Sequence, residues 1–383
     1  MTTSRRDFLS NMARTGIGVS AATRRAAIGP ASTAQIETGE RPHGGFHSVL
    51  ENDHPYIFID ACMQMWPDAD FSNAHRHGVT GYAVTAWNPH VSFAAAHEGL
   101  MFWHAIARQH PNLIVAEKVQ DIRKAKQQGK AALVLAAQDG DWIGHDLSRI
   151  EAFRQLGLRM MLLAYNSNNQ LCNGCLDRTN GGLSRLGQSV VDECNRVGIV
   201  LDCTHVGKRS TIETIERSQK PCIFSHSNPS AIVPNHRNID DEQIKACAQK
   251  GGVIGLVAWG PLVMKPDEPR WPTVDDFIDL IDHVAGMLGN TDHIGVSTDM
   301  SIGTYPEHER DPWGGPAYPD ITEAYDRDVT DDFRSPRRNL DGFSDYAEIV
   351  NLAEKLLARG YKEEDVHKLL GGNFLRVFEQ VWI

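Results

Sequence analysis

Two histidines and an aspartate, far apart in the chain, share one kind of setting. His205 follows the run Ile199–Cys203, His226 follows Pro221–Phe224, and Asp299 follows His293–Ser297. Neutral imidazole and carboxylate are zinc ligands, and they need not be close in sequence if the fold brings strand ends together. A lone histidine after an apolar run is more often a hydrogen-bonded structural residue, so the weight lies on the joint placement. The cysteines carry less. There are seven, an odd number, and several sit inside apolar runs where a thiol is usually a small buried hydrophobe. Cys172 and Cys175 form a lone CxxC, which without a second pair rarely makes a four-ligand site and reads as loop or core thiols.

What would position those residues is a repeated unit. From about residue 55 a short apolar, β-branched run ends in polar residues, and a helix-like segment follows. The runs are Tyr56–Ala61, Gly81–Ala86, Ala131–Ala137, Arg159–Ala164, Ile199–Cys203, Pro221–Phe224, Gly252–Val257 and His293–Ser297. Continuous apolar runs of this length suit strands buried on both faces, as in parallel sheets. Helical signals lie between them: Arg185 to Val197 stopped by Gly198, Thr211 to Ser218 before Lys220-Pro221, Asp240 to Lys250 before Gly251-Gly252, and Thr273 to Leu288 before Gly289. Eight strand–helix units predict an α/β fold of the (β/α)8, or TIM, barrel type. An open flavodoxin-like or Rossmann-like sheet is the alternative, but no GxGxxG opens a helix after the first strand.

A barrel makes the strand ends informative, because active sites of such barrels lie there. In order they carry Cys62 and Gln64, Trp87 and Asn88, Gln138 and Asp139, Tyr165 and Asn166, His205, His226, Trp259, and Asp299. The 383 residues suit one barrel with insertions. The net charge of −11 without a basic stripe argues against nucleic acid as a partner, and no segment has the roughly 20 apolar residues of a membrane span. Ser4-Arg5-Arg6-Asp7-Phe8-Leu9 looks like a twin-arginine export signal, followed by a weakly apolar stretch and a small-residue segment from Pro30 to Ala34. The expectation is a signal or disordered segment over 1–45, export to the periplasm or, failing that, a cytoplasmic protein, and a barrel with C-terminal helices over 46–383.

At the strand ends the chain resembles a known family. GIVLDCTHVG (198–207), KPCIFSHSNPSAI (220–232), HRNIDDEQIKACAQKGGVIGL (236–256), HIGVSTD (293–299) and the tail from Gly342 to Val381, with its Gly-Gly-Asn-Phe-Leu-Arg signature, are similar to the blocks of the membrane (renal) dipeptidases. These are zinc-dependent metallopeptidases of the amidohydrolase-like barrel group. The resemblance covers roughly residues 55 to 383. It implies that His205 and His226 match metal ligands, that Arg237 matches the arginine holding the substrate carboxylate, and that Asp299 matches the acidic residue handling the amino group or a proton. Tyr165 stands where many members have histidine, and its hydroxyl can donate to a developing oxyanion. Homodimers, common in the family, are implied weakly.

The departures are as specific as the matches. Where the family has His-x-Asp after strand one, this chain has Cys62-Met63-Gln64, and where it has a bridging glutamate after strand three, this chain has Gln138. The family's Asp-x-Asp-Gly at strand eight is Asp299-Met300-Ser301-Ile302. Without the bridging carboxylate a second cation faces uncompensated repulsion from the first, so at most one zinc ion is expected, held by His205, His226 and Cys62, with water in the fourth place. Three functions stay open: a dipeptidase-like hydrolase of a dipeptide or related amide, an enzyme of altered and metal-free chemistry on a carboxylated small molecule using Asp299, Cys62 and Tyr165, or a non-catalytic binder. The first is the leading expectation.

Overall fold

The computed structural model describes residues 56–66, 68–268, 270–303 and 338–383, all within one compact unit, Phe46–Ile383. The segment read as an export signal lies outside the described residues. The strands are β1 (Ile59–Met65), β2 (Gly81–Thr85), β3 (Leu113–Val115), β4 (Ala131–Ala137), β5 (Leu158–Leu162), β6 (Val200–Asp202), β7 (Ile223–Phe224), β8 (Val253–Val257), β9 (Ile294–Ser297) and β10 (Ser301–Ile302). They form one curled parallel sheet in the order β10-β1-β2-β4-β5-β6-β7-β8-β9, with β3 paired to the flank of β4.

Each of the eight predicted runs overlaps a strand, and two further short strands, β3 and β10, join them. The first run is corrected: β1 begins at Ile59 and continues to Met65, so Cys62 and Gln64 lie within the strand instead of after it. A break in the β1–β2 register between Asp60 and Met63 re-aims this stretch, as bulges beside active sites commonly do. The open-sheet alternative fails because the last strand returns to the first. Asp299 N donates to Cys62 O at 2.9 Å, Gln64 N to Met300 O at 2.9 Å, and β10 pairs with β1 through Gln64–Ser301. Buried Asp60 seals this seam by accepting from Ser297 Oγ (3.1 Å), Thr298 N (3.0 Å) and Tyr346 OH (2.6 Å).

Helices α1 (Phe93–Gln109), α2 (Val119–Gln127), α3 (Ser148–Gln155), α4 (Arg185–Val197), α5 (Lys208–Arg217), α6 (Asp241–Gln249) and α7 (Val274–Leu288) fill the crossovers. Their ends follow the local chemistry. Ser184 caps α4 through Gly187 N, and Gly198 ends it at φ 80°. Asp240 with Gln243, and Thr273 with Asp276, form capping boxes on α6 and α7. Helix α5 starts at Lys208, three residues before the sequence signal, because it begins directly after Gly207 at the β6 turn.

The floor of the barrel is closed by the tail. Beyond α8 (Ile349–Ala358) and α9 (Glu363–His367), a π turn over Lys368–Gly372 leads into α10 (Asn373–Val381). Phe374, Phe378 and Trp382 pack with Ile59, Ala132, Val200, Ile223 and Val253 near the N-terminal ends of the strands. Gly295 leaves room for the Phe374 ring, which any Cβ there would meet at 2.3 Å. Asn373 Nδ2 donates to Thr291 O (2.7 Å) and Ile294 O (2.8 Å), which locks the tail to β9.

Candidate active site

The opposite end of the barrel is polar. Asp202, at the end of β6, accepts from Thr204 N and Ser225 N at 3.0 Å each, and so shapes the turns that carry the two histidines. His205 follows with φ 65°, a strained value for a bulky residue, and its carbonyl is held by Cys175 N at 2.9 Å. The loop after β5 crosses this turn closely: a Cβ on Gly174 would lie 2.0 Å from Asn166 O. Asn166 and Asp299 are also left-handed, at φ 61° and 51°. The turn at Asp299 is braced from both sides, its N–H on Cys62 O and its carbonyl on Arg338 (2.8 Å).

Several strand-end side chains come together here. His205 Nε2 and His226 Nε2 face each other at 3.0 Å. Their outer nitrogens are engaged: His205 Nδ1 with Asn166 Oδ1 at 2.7 Å and His226 Nδ1 with Ser225 Oγ at 2.6 Å. Cys62 Sγ lies 3.9 Å from His226 Nε2 and 3.9 Å from Asp299 Oδ1. Gln138 Nε2 donates to that thiol at 3.3 Å, and Gln64 Nε2 donates to Asp299 Oδ1 at 3.5 Å. Tyr165 stacks on the His205 ring at 4.0 Å. Arg237 is buried and donates through Nη2 to His226 O at 3.3 Å. Its neighbours at Asp240 and Asp241 are occupied elsewhere, Asp240 by Lys208 and Asp241 by His283. Two other strand ends stay outside: Trp87 packs on Trp142 and Phe153, and Trp259 belongs to a small separate apolar cluster.

The electrostatics follow from burial beside an arginine. Burial first, then the Arg237 guanidinium, holds both imidazoles well below the ordinary histidine range, so they are neutral. Burial also lifts the Asp299 carboxyl, with Arg338 and Arg237 opposing the rise. The Cys62 thiol is pushed well up, by burial and then by Asp299.

These donors fit one metal ion. When Nδ1 of each ring donates outward, both Nε2 lone pairs point into the 3.0 Å space between them, an arrangement a cation about 2.0–2.1 Å from each nitrogen would satisfy. They do not fit a two-ion cluster. Gln138 and Gln64 bring amide N–H groups to Cys62 and Asp299 and add no further carboxylate to the set. Sequence reasoning placed Asn166 at a strand end without a role, and missed Arg338, which follows a long loop, and the outer partner Ser225, which only the folded turns identify. It also missed a rim group beside the cup, where His90, in the loop after β2, meets Asp139 and Asp141. The signal available for that group was the Asp139-Gly140-Asp141 spacing directly after β4.

A profile of the membrane dipeptidases, peptidase family M19, matches residues 76–331 and 328–382. The chain belongs to that family. The dipeptidase AC, a metallopeptidase of family M19, shares the fold at 18% identity and a TM-score of 0.67, over 85% of this chain and 99% of that one. Among solved structures, an amidohydrolase from Pseudomonas aeruginosa is 30% identical with a TM-score of 0.73, over 87% of this chain and 98% of that one. The probable dipeptidase PvdM from the same organism shares the fold at 21% identity and a TM-score of 0.70, over 87% and 97% of the two chains. The dipeptidase tcpJ of Claviceps purpurea (strain 20.1) is 28% identical over 269 residues, 70% of this chain. The chain spans about half of that relative, 55% of its length.

Proposed function

We propose that this M19 member hydrolyses a dipeptide or related amide bearing a free carboxylate, with a single zinc ion held by His205, His226 and Cys62. The observation that carries this reading is the pair of opposed Nε2 atoms at 3.0 Å whose outer nitrogens are both engaged. When bound, the ion supplies Lewis acidity and a water of lowered pKa.

The chain's own residues do the rest. Arg237 offers a buried guanidinium, whose planar fork suits a substrate carboxylate. Asp299, 3.9 Å from Cys62 and above its ordinary pKa, is suited to take the proton of the attacking water and pass it to the leaving amine. The Tyr165 hydroxyl, carried on a ring stacked over His205, is the donor for the oxyanion of the tetrahedral intermediate. Elemental analysis of the cup, paired with a panel of dipeptides that includes D-residues and cyclic amides, tests the reading. Loss of one zinc equivalent together with hydrolysis in His226→Ala supports it, and hydrolysis that persists in a zinc-free protein overturns it.

One contact favours a second reading, metal-free chemistry at Cys62. Gln138 Nε2 donates to the thiol at 3.3 Å, the contact that would stabilise a thiolate. Under that reading iodoacetamide, and not a chelator, abolishes turnover.

A further inference from the structure

We propose that His90, Asp139 and Asp141 form a second, separate cation site on the rim, selective for a first-row divalent ion of the zinc or manganese type. The three residues come from two loops, the one after β2 and the one after β4. His90 Nδ1 lies 2.8 Å from Asp141 Oδ2 and 4.0 Å from Asp139 Oδ2, and one ligand atom from each residue lies within 4.8 Å of the others. Donors around a tetrahedral ion with bonds of about 2.0–2.2 Å stand roughly 3.3–3.6 Å apart, so rotations of less than about 1 Å bring this set onto one ion. One imidazole with two carboxylates is a mixed nitrogen and oxygen set, suited to those ions and too hard for Cu(I).

The hydrogen-bond inventory points the same way. The Asp139 side chain is fully buried with the Trp87 indole in hydrogen-bonding reach of its carboxyl, while among the described residues buried Oδ1 of Asp141 has no hydrogen-bond partner. Asp139 Oδ2 is taken by His90 N. A neutral imidazole has a single N–H to offer on this side, and it serves one oxygen of Asp141. Two carboxylates beside one imidazole therefore leave an acceptor of Asp141 orphaned, a situation native proteins resolve with water or an ion. His90 is also held at φ 62°, which turns its backbone N–H and its ring toward the same pair of acids. Its ring is 43% exposed, so an ion has a path in.

The rim is joined to the cup by one ring. Tyr165 meets the edge of His90 at 6.3 Å and stacks on His205 at 4.0 Å. An ion at His90 ties the two loops together and fixes the face on which Tyr165 rests, which makes it a positioning element for the cup.

The test uses the full chain, stripped with chelator and titrated by calorimetry with Zn2+ alone and with Mn2+ alone. The His226→Ala chain, whose cup is disabled, should still bind one ion. Adding Asp141→Asn, at a partly exposed position, should weaken that event at least about tenfold, with far-ultraviolet circular dichroism unchanged. No ion bound by His226→Ala, or binding indifferent to both Asp141→Asn and His90→Gln, overturns the rim site and points to a plain His–Asp ion pair. An unchanged ion count between wild type and His226→Ala overturns the cup reading instead, which keeps the two failures distinguishable.

Discussion

The cup has two unlike halves. On β6 and β7, His205 and His226 turn their Nε2 atoms inward while Asn166 and Ser225 hold their outer nitrogens, and Asp202 braces both turns. On β1 and β4, Cys62, Gln64 and Gln138 direct their polar atoms at one another and at Asp299. The first half has the outer support that orients metal ligands. The second resembles an ordinary satisfied polar cluster, in which amide N–H groups stand where acidic ligands would be needed. On the proposed function, a barrel can keep one half of a metal centre while the other becomes a hydrogen-bonded patch, because each half is built by its own strands and turns.

Four experiments press on that contrast, the largest expected effect first. Rebuilding the altered half by Cys62→His, Gln64→Asp and Gln138→Glu together should raise the number of ions in the cup from one to two, read by elemental analysis against the unaltered chain with the rim disabled in both. Still a single ion would mean that more than ligand identity separates the halves. Removing the intact half's ligand by His226→Ala should cost about a thousandfold or more in kcat/KM, roughly 4 kcal/mol of transition-state stabilisation, and the cup's ion with it.

The seam of the altered half gives a pH test. Burial pushes the Asp60 carboxyl from 3.8 up to about 6 against its hydrogen bonds from Thr298, Tyr346 and Cys62. The native state thus binds this proton more tightly than the unfolded chain. The associated stability is full below 3.8 and is lost as pH rises through about 6, a change of about 3 kcal/mol. Denaturant unfolding of Asp60→Asn between those limits should show that slope removed, and a slope identical to wild type would clear Asp60 of the effect. Last, Arg237→Ala should raise KM with kcat little altered, by about 1.5–3 kcal/mol of binding for one charge-assisted hydrogen bond. Unchanged affinity would take the arginine out of the site.

The sequence made most of this visible and hid specific parts for physical reasons. Buried parallel strands announce themselves as apolar runs, so all eight could be read, and the residue after each run pointed to His205, His226 and Asp299. The β1 start was misplaced because Tyr56, Ile57 and Phe58 are as apolar as the strand they precede. The strands Leu113–Val115 and Ser301–Ile302 are too short to show any periodicity. Arg338 and Ser225 stay hidden, and Asn166 shows as a strand end without a role, because these roles depend on turn geometry and on contacts across long stretches of chain, with no pattern of residue types to betray them. His90 was passed over for the same reason, since a histidine in an Asn-Pro-His loop looks like surface.

The tail under the barrel has a consequence for how the molecule comes into being. Phe374, Phe378 and Trp382 complete a core whose other walls are the beginnings of strands that lie far earlier in the chain. A nascent chain can assemble strand–helix pairs as they emerge from the ribosome, but it cannot finish the interior until these aromatic rings follow. A chain stalled short of Asn373 would expose an unsealed apolar floor for chaperones or proteases to find.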